Sequence, residues 1–271
     1  VVGNATNTVI ENVKNTINVT GTNNVGGIIG TGTNVTLNGV VNAGAIKGNS
    51  NVGGLAGSLT AGSTLKGESY NLGDIKGLDD ETNPSAIKYS SNIGGLVGLA
   101  NNSTIGNETG FQMYNHLDVT GGYNVGGIVG NLKDGSTVQN VYNDGTVNAT
   151  GMTTEDYTFH TANKTNPNNE DDLEWSDGIS KTVKDVAVAN VGGIVGNSTN
   201  GTINDATNKA DVQSNETTKN GDTYYIAGNV GGIVGKAMDT NMKNVTNEES
   251  NICGAHNVGG IAGYFGNTDN I

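Results

Sequence analysis

Apolar residues in this chain fall in short groups of Val, Ile and Leu, each bounded by Gly, Asn, Asp, Ser or Thr. Groups of that length between turn-forming residues read as strands. No apolar series at i, i+3, i+4 and i+7 runs far enough to predict a helix. The most regular group is Asn24-Val25-Gly26-Gly27-Ile28-Ile29-Gly30, and it returns six more times. It reads NVGGLAG from Asn51, NIGGLVG from Asn92, NVGGIVG from Asn124, Asn190 and Asn229, and NVGGIAG from Asn257. Seven copies that exchange only Val, Ile, Leu and Ala answer one structural demand seven times, which marks a repeat architecture and not a single active-site loop.

Successive copies begin 27, 41, 32, 66, 39 and 28 residues apart. The residues after each copy share a common plan: a few small polar residues, a Ser/Thr-rich run, an Asn-rich turn and another short run ending near Gly, as in residues 63–77 and 136–151. The shortest unit, 24–50, has 27 residues, room for about three strands of five to six residues with their turns. These features predict an all-β chain in which 1–271 forms a single right-handed parallel β-helix, or β-solenoid, of about eight coils of about 27 residues. Residues in excess of the shortest unit concentrate in three additions, 78–91, 152–189 and 216–228, each expected after the third strand of its coil. Loops inserted at one register would line one edge, often the binding edge. Val1-Val2-Gly3 matches the end of the motif, and Ile271 comes soon after Gly263, so a piece of a longer protein is expected.

The motif carries three glycines per copy: Gly26, Gly27 and Gly30; Gly53, Gly54 and Gly57; Gly94, Gly95 and Gly98; Gly126, Gly127 and Gly130; Gly192, Gly193 and Gly196; Gly231, Gly232 and Gly235; Gly259, Gly260 and Gly263. They are read as structural, the paired ones giving positive φ or close backbone approach and the third ending the strand. Strict alternation would put Val125 and Val129 on one face and Ile128 on the other. A corner at the glycine pair would turn both Val125 and Ile128 inward. The Asn that opens each motif is expected to stack coil on coil as a hydrogen-bonded ladder. The pattern is also near that of a phosphate-cradling loop, yet no Lys-Ser/Thr pair or amphipathic helix comes after it.

Composition narrows the partners. Hydrophobic residues make up 34%, which suits the thin core of a solenoid. A net charge of -13, with every cation a Lys, argues against a nucleic-acid or anionic-membrane partner and removes bidentate Arg clamps. No stretch predicts direct membrane insertion. Cys253 is the only cysteine and reads as a small buried hydrophobe. A Thr-x-Thr pattern of the ice-binding kind is not repeated in register from Thr31-Gly-Thr33.

The repeated N-[VI]-G-G-[IL]-x-G resembles the GLUG motif of bacterial cell-surface and secreted proteins, including adhesin-like proteins and the region upstream of the catalytic domain of streptococcal IgA peptidases. Seven full copies and one partial copy span essentially the whole chain. The resemblance implies a β-solenoid and an extracellular place, on a bacterial cell surface or cell wall or secreted. It implies use as a stalk, for display or for binding.

Within the additions, residues 152–189 hold Tyr157, Phe159, His160 and the only Trp, Trp175, and residues 216–228 add Tyr224 and Tyr225. Aromatic side chains stack on sugar faces and anchor protein interfaces, so these six are the candidate ligand contacts. The same rings could instead form a satellite core that pins the loop. Asp171, Asp172, Glu174 and Asp177, and likewise Asp79, Asp80 and Glu81, offer oxygen ligands to calcium, but neither group has EF-hand or GGxGxD spacing, so a solvated acidic loop and no cofactor are expected. Polysaccharide-cleaving β-helix enzymes need paired carboxylates across a groove and cations for acidic substrate. The chain has no such recurring pair, and His116, His160 and His256 are scattered outside any H-E-x-x-H, so catalysis is not expected. The function expected is adhesion, through a host or neighbouring-cell glycan or protein. The competing reading is a structural spacer with no ligand, and pairing of copies through edge strands stays open.

Overall fold

Glycine weakens a strand and often marks a tight bend, and here the chain bends at the motif glycine pairs. The computed structural model describes residues 2–78, 90–150, 189–214, 227–254 and 257–267, together with the strands Ala162–Lys164, Leu173–Trp175, Glu216–Lys219 and Asp222–Tyr225. Every helical or extended element among them is a strand. Two compact units are present, one of Val1–Met152 with Val188–Ile271, the other of Thr153–Ala187.

In the larger unit each repeat visits the same sheets in the same order. A strand ending on the first motif glycine (Asn23–Gly26, Ser50–Gly53, Ser91–Gly94, Tyr123–Gly126, Ala189–Gly192, Ala227–Gly231, Val258–Gly259) joins a parallel sheet of its equivalents. After the bend comes a strand such as Ile29–Asn38 or Val129–Lys133 in a second, larger sheet, which also holds the later strands Val41–Asn42 and Thr137–Asn143. A short strand in a third parallel sheet comes next, as in Ile46–Gly48 and Val147–Ala149. This stack of parallel sheets is consistent with a β-solenoid. Even the bend residues are tied repeat to repeat: the amide of Ile28 donates to Leu55 at 3.0 Å, Leu55 to Leu96 at 2.9 Å, Leu96 to Ile128 at 2.9 Å and Ile128 to Ile194 at 2.9 Å.

The bend sends the motif's apolar residues into two separate columns. Val25, Val52, Ile93, Val125, Val191 and Val230 pack with Ile46, Ile75, Val119, Val147 and Val212 of the third sheet. Ile28, Leu55, Leu96, Ile128, Ile194 and Ile233, with the residues after them, pack in the other column with Leu37, Leu65, Ile105, Val138 and Ile203. Val125 and Ile128 are thus both inward, and the corner at the glycine pair is what permits it. The core of the described residues contains no aromatic ring. At about 25 cal/mol per Å², a thin aliphatic core draws its stability from repetition of the same small burial.

The glycines act by close approach. No motif glycine among the described residues has positive φ; that conformation belongs to Asn24, Asn51, Asn92, Asn124 and Asn257, with φ from 43 to 56°. A Cβ on Gly127 would lie 2.1 Å from the Gly193 carbonyl and 2.5 Å from the Asn143 side chain. One on Gly130 would lie 2.4 Å from the Asn92 carbonyl carbon. The third glycine therefore does not end a strand; it is the second residue of one, as in Ile29–Asn38 and Ala56–Thr60, placed where the strand crosses the motif backbone of the preceding repeat.

The motif asparagines form the expected ladder, Asn51 donating to Asn24 at 2.8 Å, and so on through Asn92, Asn124, Asn190 and Asn229 to Asn257 at 2.9 Å. A second ladder, which the motif does not announce, runs through Asn15, Asn42, Asn71, Asn115, Asn143, Asn208 and Asn247 at 2.7 to 3.0 Å. From Asn15 to Asn208 each member also donates two residues ahead, Asn143 to the Gly145 carbonyl at 2.9 Å, closing a turn beside the core.

One expectation about a side chain changes. Cys253 is exposed, on the strand Ile252–Cys253, because its neighbour Ile252 takes the inward position and Cys253 aligns with outward Gln213. The Thr31 and Thr33 pair does not recur in register, since Thr31 faces Asn4 and Ser58; a column of single threonines runs instead through Thr36, Thr64, Thr104, Thr137 and Thr202. The three additions come after third-sheet strands: Ile75–Gly77, Val147–Ala149 and Val212–Ser214 precede them, and motif strands come next. In the smaller unit Ala162–Lys164 pairs antiparallel with Leu173–Trp175.

The contacts of the glycines make an internal control. Gly127→Ala should lower the urea midpoint of this chain by the equivalent of about 3 kcal/mol or more, from overpacking against backbone. Gly260→Ala, at the same motif position but with nothing within 4 Å of its Cβ, should stay within about 0.5 kcal/mol of the parent. Equal effects would mean that the glycine pair is kept for some reason other than space.

The buried ladder gives a second test. Asn143 accepts from Asn115 at 3.0 Å and donates to Asn208 at 3.0 Å and to Gly145, so Asn143→Ala leaves a buried donor and acceptors without partners. Each unmade bond of that kind costs about 1–3 kcal/mol, and the variant should lose at least about 2 kcal/mol by urea denaturation. Asn38→Ala, on an exposed bond to Glu11 and at a residue without a left-handed backbone, should lose less than about 1 kcal/mol.

Candidate functional site

The second ladder decides where a set of rings goes. Tyr70, Tyr114 and Tyr142 each precede a ladder asparagine, Asn71, Asn115 and Asn143. The asparagine points in, so strand alternation turns the tyrosine out. Register places Tyr70 opposite Tyr114 and Tyr114 opposite Tyr142 on three successive repeats, flanked by Val41 on one side and Thr207 on the other. The rings of Tyr70 and Tyr114 stack 4.7 Å apart with planes 12° from parallel. The His116 ring lies 4.3 Å from that of Tyr114 and meets Tyr142 edge-on at 6.3 Å.

Phe111 completes the group from a turn. Gly106 and Gly110, with φ of 121° and 91°, bend the segment, and the Phe111 carbonyl accepts from Asn107 at 2.7 Å and Asn140 at 3.2 Å. Gln112 adds a bond to the Val141 carbonyl at 3.0 Å. So anchored, the Phe111 ring leans on Tyr70 at 6.5 Å and on Tyr114 at 5.9 Å while remaining 36% exposed. Leu72, two residues beyond Tyr70, is 38% exposed.

The electrostatics are acidic. His116 Nδ1 is hydrogen-bonded to the Asp144 carboxylate, and the Tyr142 hydroxyl donates to its other oxygen at 3.2 Å. Burial first, then the nearby Tyr70, Glu68 and Asp144, push the Tyr114 hydroxyl above its ordinary 10.0. Tyr142 is pushed up by burial and then by the charge and hydrogen bond of Asp144. Lys209, on the next repeat, is engaged by Glu248 at 3.1 Å. The surface can therefore offer an apolar ring edge and face, tyrosine hydroxyls and a carboxylate. Among the described residues no three His, Cys, Asp or Glu are placed to hold a metal ion.

Of the residues singled out from sequence, Tyr157, Phe159 and His160 lie outside the described residues, as do Asp79, Asp80, Glu81, Asp171, Asp172, Asp177 and His256. Trp175 ends the strand Leu173–Trp175 opposite Ala162, with Glu174 opposite Asn163. Tyr224 and Tyr225 lie on Asp222–Tyr225, antiparallel to Glu216–Lys219, opposite Thr217 and Glu216. His116, one of three histidines scattered in the sequence, belongs to the ring cluster. The Tyr-Asn pairs at 70–71, 114–115 and 142–143, set apart from Tyr123-Asn124 by lying outside the NVGG motif, are the signal that would have found the cluster.

Comparison of the chain with known protein families, with characterised proteins and with solved structures finds no match.

Titration offers a check of the site's geometry. The raised pKa of Tyr142 means that its phenolate forms above pH 10.0, and Asp144→Asn should bring it back towards that value, because the carboxylate's charge is removed and only a neutral amide oxygen is left to accept. Phenolate absorbance, with Tyr142→Phe to assign the group, reads the shift. Because the folded pKa lies above the unfolded one, this group's contribution to stability is present below pH 10.0 and is lost as pH rises through the folded value.

Proposed function

We propose that this chain is a non-catalytic binding module of the GLUG-repeat kind from a bacterial surface or secreted protein. In this reading it is a right-handed parallel β-solenoid of about eight coils of about 27 residues, used for adhesion to a glycan or protein of a host or neighbouring cell. The observation that carries it is the outward gathering of Tyr70, Phe111, Tyr114, His116 and Tyr142 in a protein whose described core is entirely aliphatic. Exposed apolar surface collected in one place, rimmed by polar groups, is the usual mark of an interaction site. The additions 78–91, 152–189 and 216–228 would present loops along one edge, with Tyr157, Phe159, His160, Trp175, Tyr224 and Tyr225 as further contacts.

The competing reading, a spacer without a ligand, draws support from the two asparagine ladders, which tie successive repeats together. Beads coated with the chain and offered to host epithelial or neighbouring bacterial cells separate the two. A Tyr70→Ser, Phe111→Ala double variant should reduce attachment about tenfold or more while its urea midpoint stays near the parent's. Attachment that is lost instead on replacing 152–189 by a short turn would move the contact to the loop. No attachment by any form would establish the spacer.

A further inference from the structure

The ring cluster has a shape and a charge that select among ligands, once the adhesion reading above is granted. Three repeats at the parallel-strand spacing extend only about 10 Å along the stack. A folded partner needs about 800 Å² of contact on each side, far more than this strip supplies. A chain one molecule wide fits it better.

The faces of Tyr70 and Tyr114 cover each other, since their rings lie nearly parallel at 4.7 Å. What the strip offers outward is the Phe111 ring, the Leu72 side chain and the tyrosine hydroxyls, with the Asp144 carboxylate at the rim. An apolar platform ringed by hydroxyl and carboxylate oxygens complements a pyranose, which has a C–H face and equatorial hydroxyls. Glu68 and Asp144 lie close enough to act on Tyr114, His116 is occupied by Asp144, and Lys209 is occupied by Glu248. With a chain net charge of -13, a sialylated or uronate-bearing glycan meets like charge at this strip.

We infer that Phe111, Tyr70, Tyr114, Leu72 and Asp144 form a binding site for an uncharged oligosaccharide, its sugar C–H face on Phe111 and its hydroxyls on the tyrosine and Asp144 oxygens. The site lies on the sheet strands and on the turn that carries Phe111.

Isothermal titration of the full chain tests this with uncharged tetrasaccharides built from glucose, galactose or N-acetylglucosamine, a sialylated tetrasaccharide beside its asialo form, and a lysine-rich peptide. At least one uncharged saccharide should bind. Phe111→Ala, an exposed position, should weaken it about three- to tenfold. Asp144→Asn should weaken it too, and sialylation should cost about tenfold or more. Absence of binding by every uncharged saccharide, equal binding by the Phe111→Ala variant, or binding of the lysine-rich peptide alone would overturn the inference. Cells that attach through Phe111 when no uncharged saccharide binds would overturn the ligand class and leave the adhesion reading standing. Saccharide binding without cell attachment would do the reverse.

Discussion

The constraint on which everything else depends is the absence of room for a Cβ at the motif glycines. At Gly27, Gly54, Gly95, Gly127, Gly193 and Gly232 the space is taken by the side chain of a ladder asparagine and by the next repeat's carbonyl. At Gly57, Gly98, Gly130, Gly196 and Gly235 it is taken by backbone of the preceding motif strand. The glycines thus let the motif strand and the strand after it approach at backbone distance, and they leave a channel for the polar column of Asn42 and its equivalents. Remove that closeness and neither the two apolar columns nor the buried ladder can form.

Asparagine has two distinct employments in this fold. Five of the motif asparagines, Asn24, Asn51, Asn92, Asn124 and Asn257, accept a left-handed backbone, which Asn tolerates better than other non-glycine residues, and all seven join along the stack. The interior ones, Asn42, Asn71, Asn115 and Asn143, are fully buried; each side-chain NH2 donates once along the ladder and once within the turn, and each side-chain oxygen accepts from the preceding member. A buried amide is costly unless all its bonds are made. Repetition supplies those bonds automatically, because each repeat presents the same acceptor to the next.

Much of this is legible in the chain, and what is not has a physical cause. The motif ladder shows because NVGG is repeated nearly letter for letter. The interior ladder does not, because Asn71 sits in Tyr-Asn-Leu-Gly and Asn115 in Tyr-Asn-His-Leu, and the spacing between members varies from 27 to 65 residues. Without that register, Tyr70, Tyr114 and Tyr142 look like single aromatics in separate repeats, and the denser group from Tyr157 to Trp175 draws the eye. The exposure of Cys253 is hidden for a related reason: which of two neighbouring residues faces inward depends on pairing with Val212 and Gln213, not on the identity of either.

An all-aliphatic core also decides how this molecule looks to light. The rings of Tyr70, Phe111, Tyr114 and Tyr142 lie on the outer side of their sheet, several of them within stacking distance of one another. The share of the near-ultraviolet circular dichroism that comes from those rings will therefore report the order of that outer cluster, while the methyl-lined interior of the described residues, spectroscopically silent at those wavelengths, melts unseen.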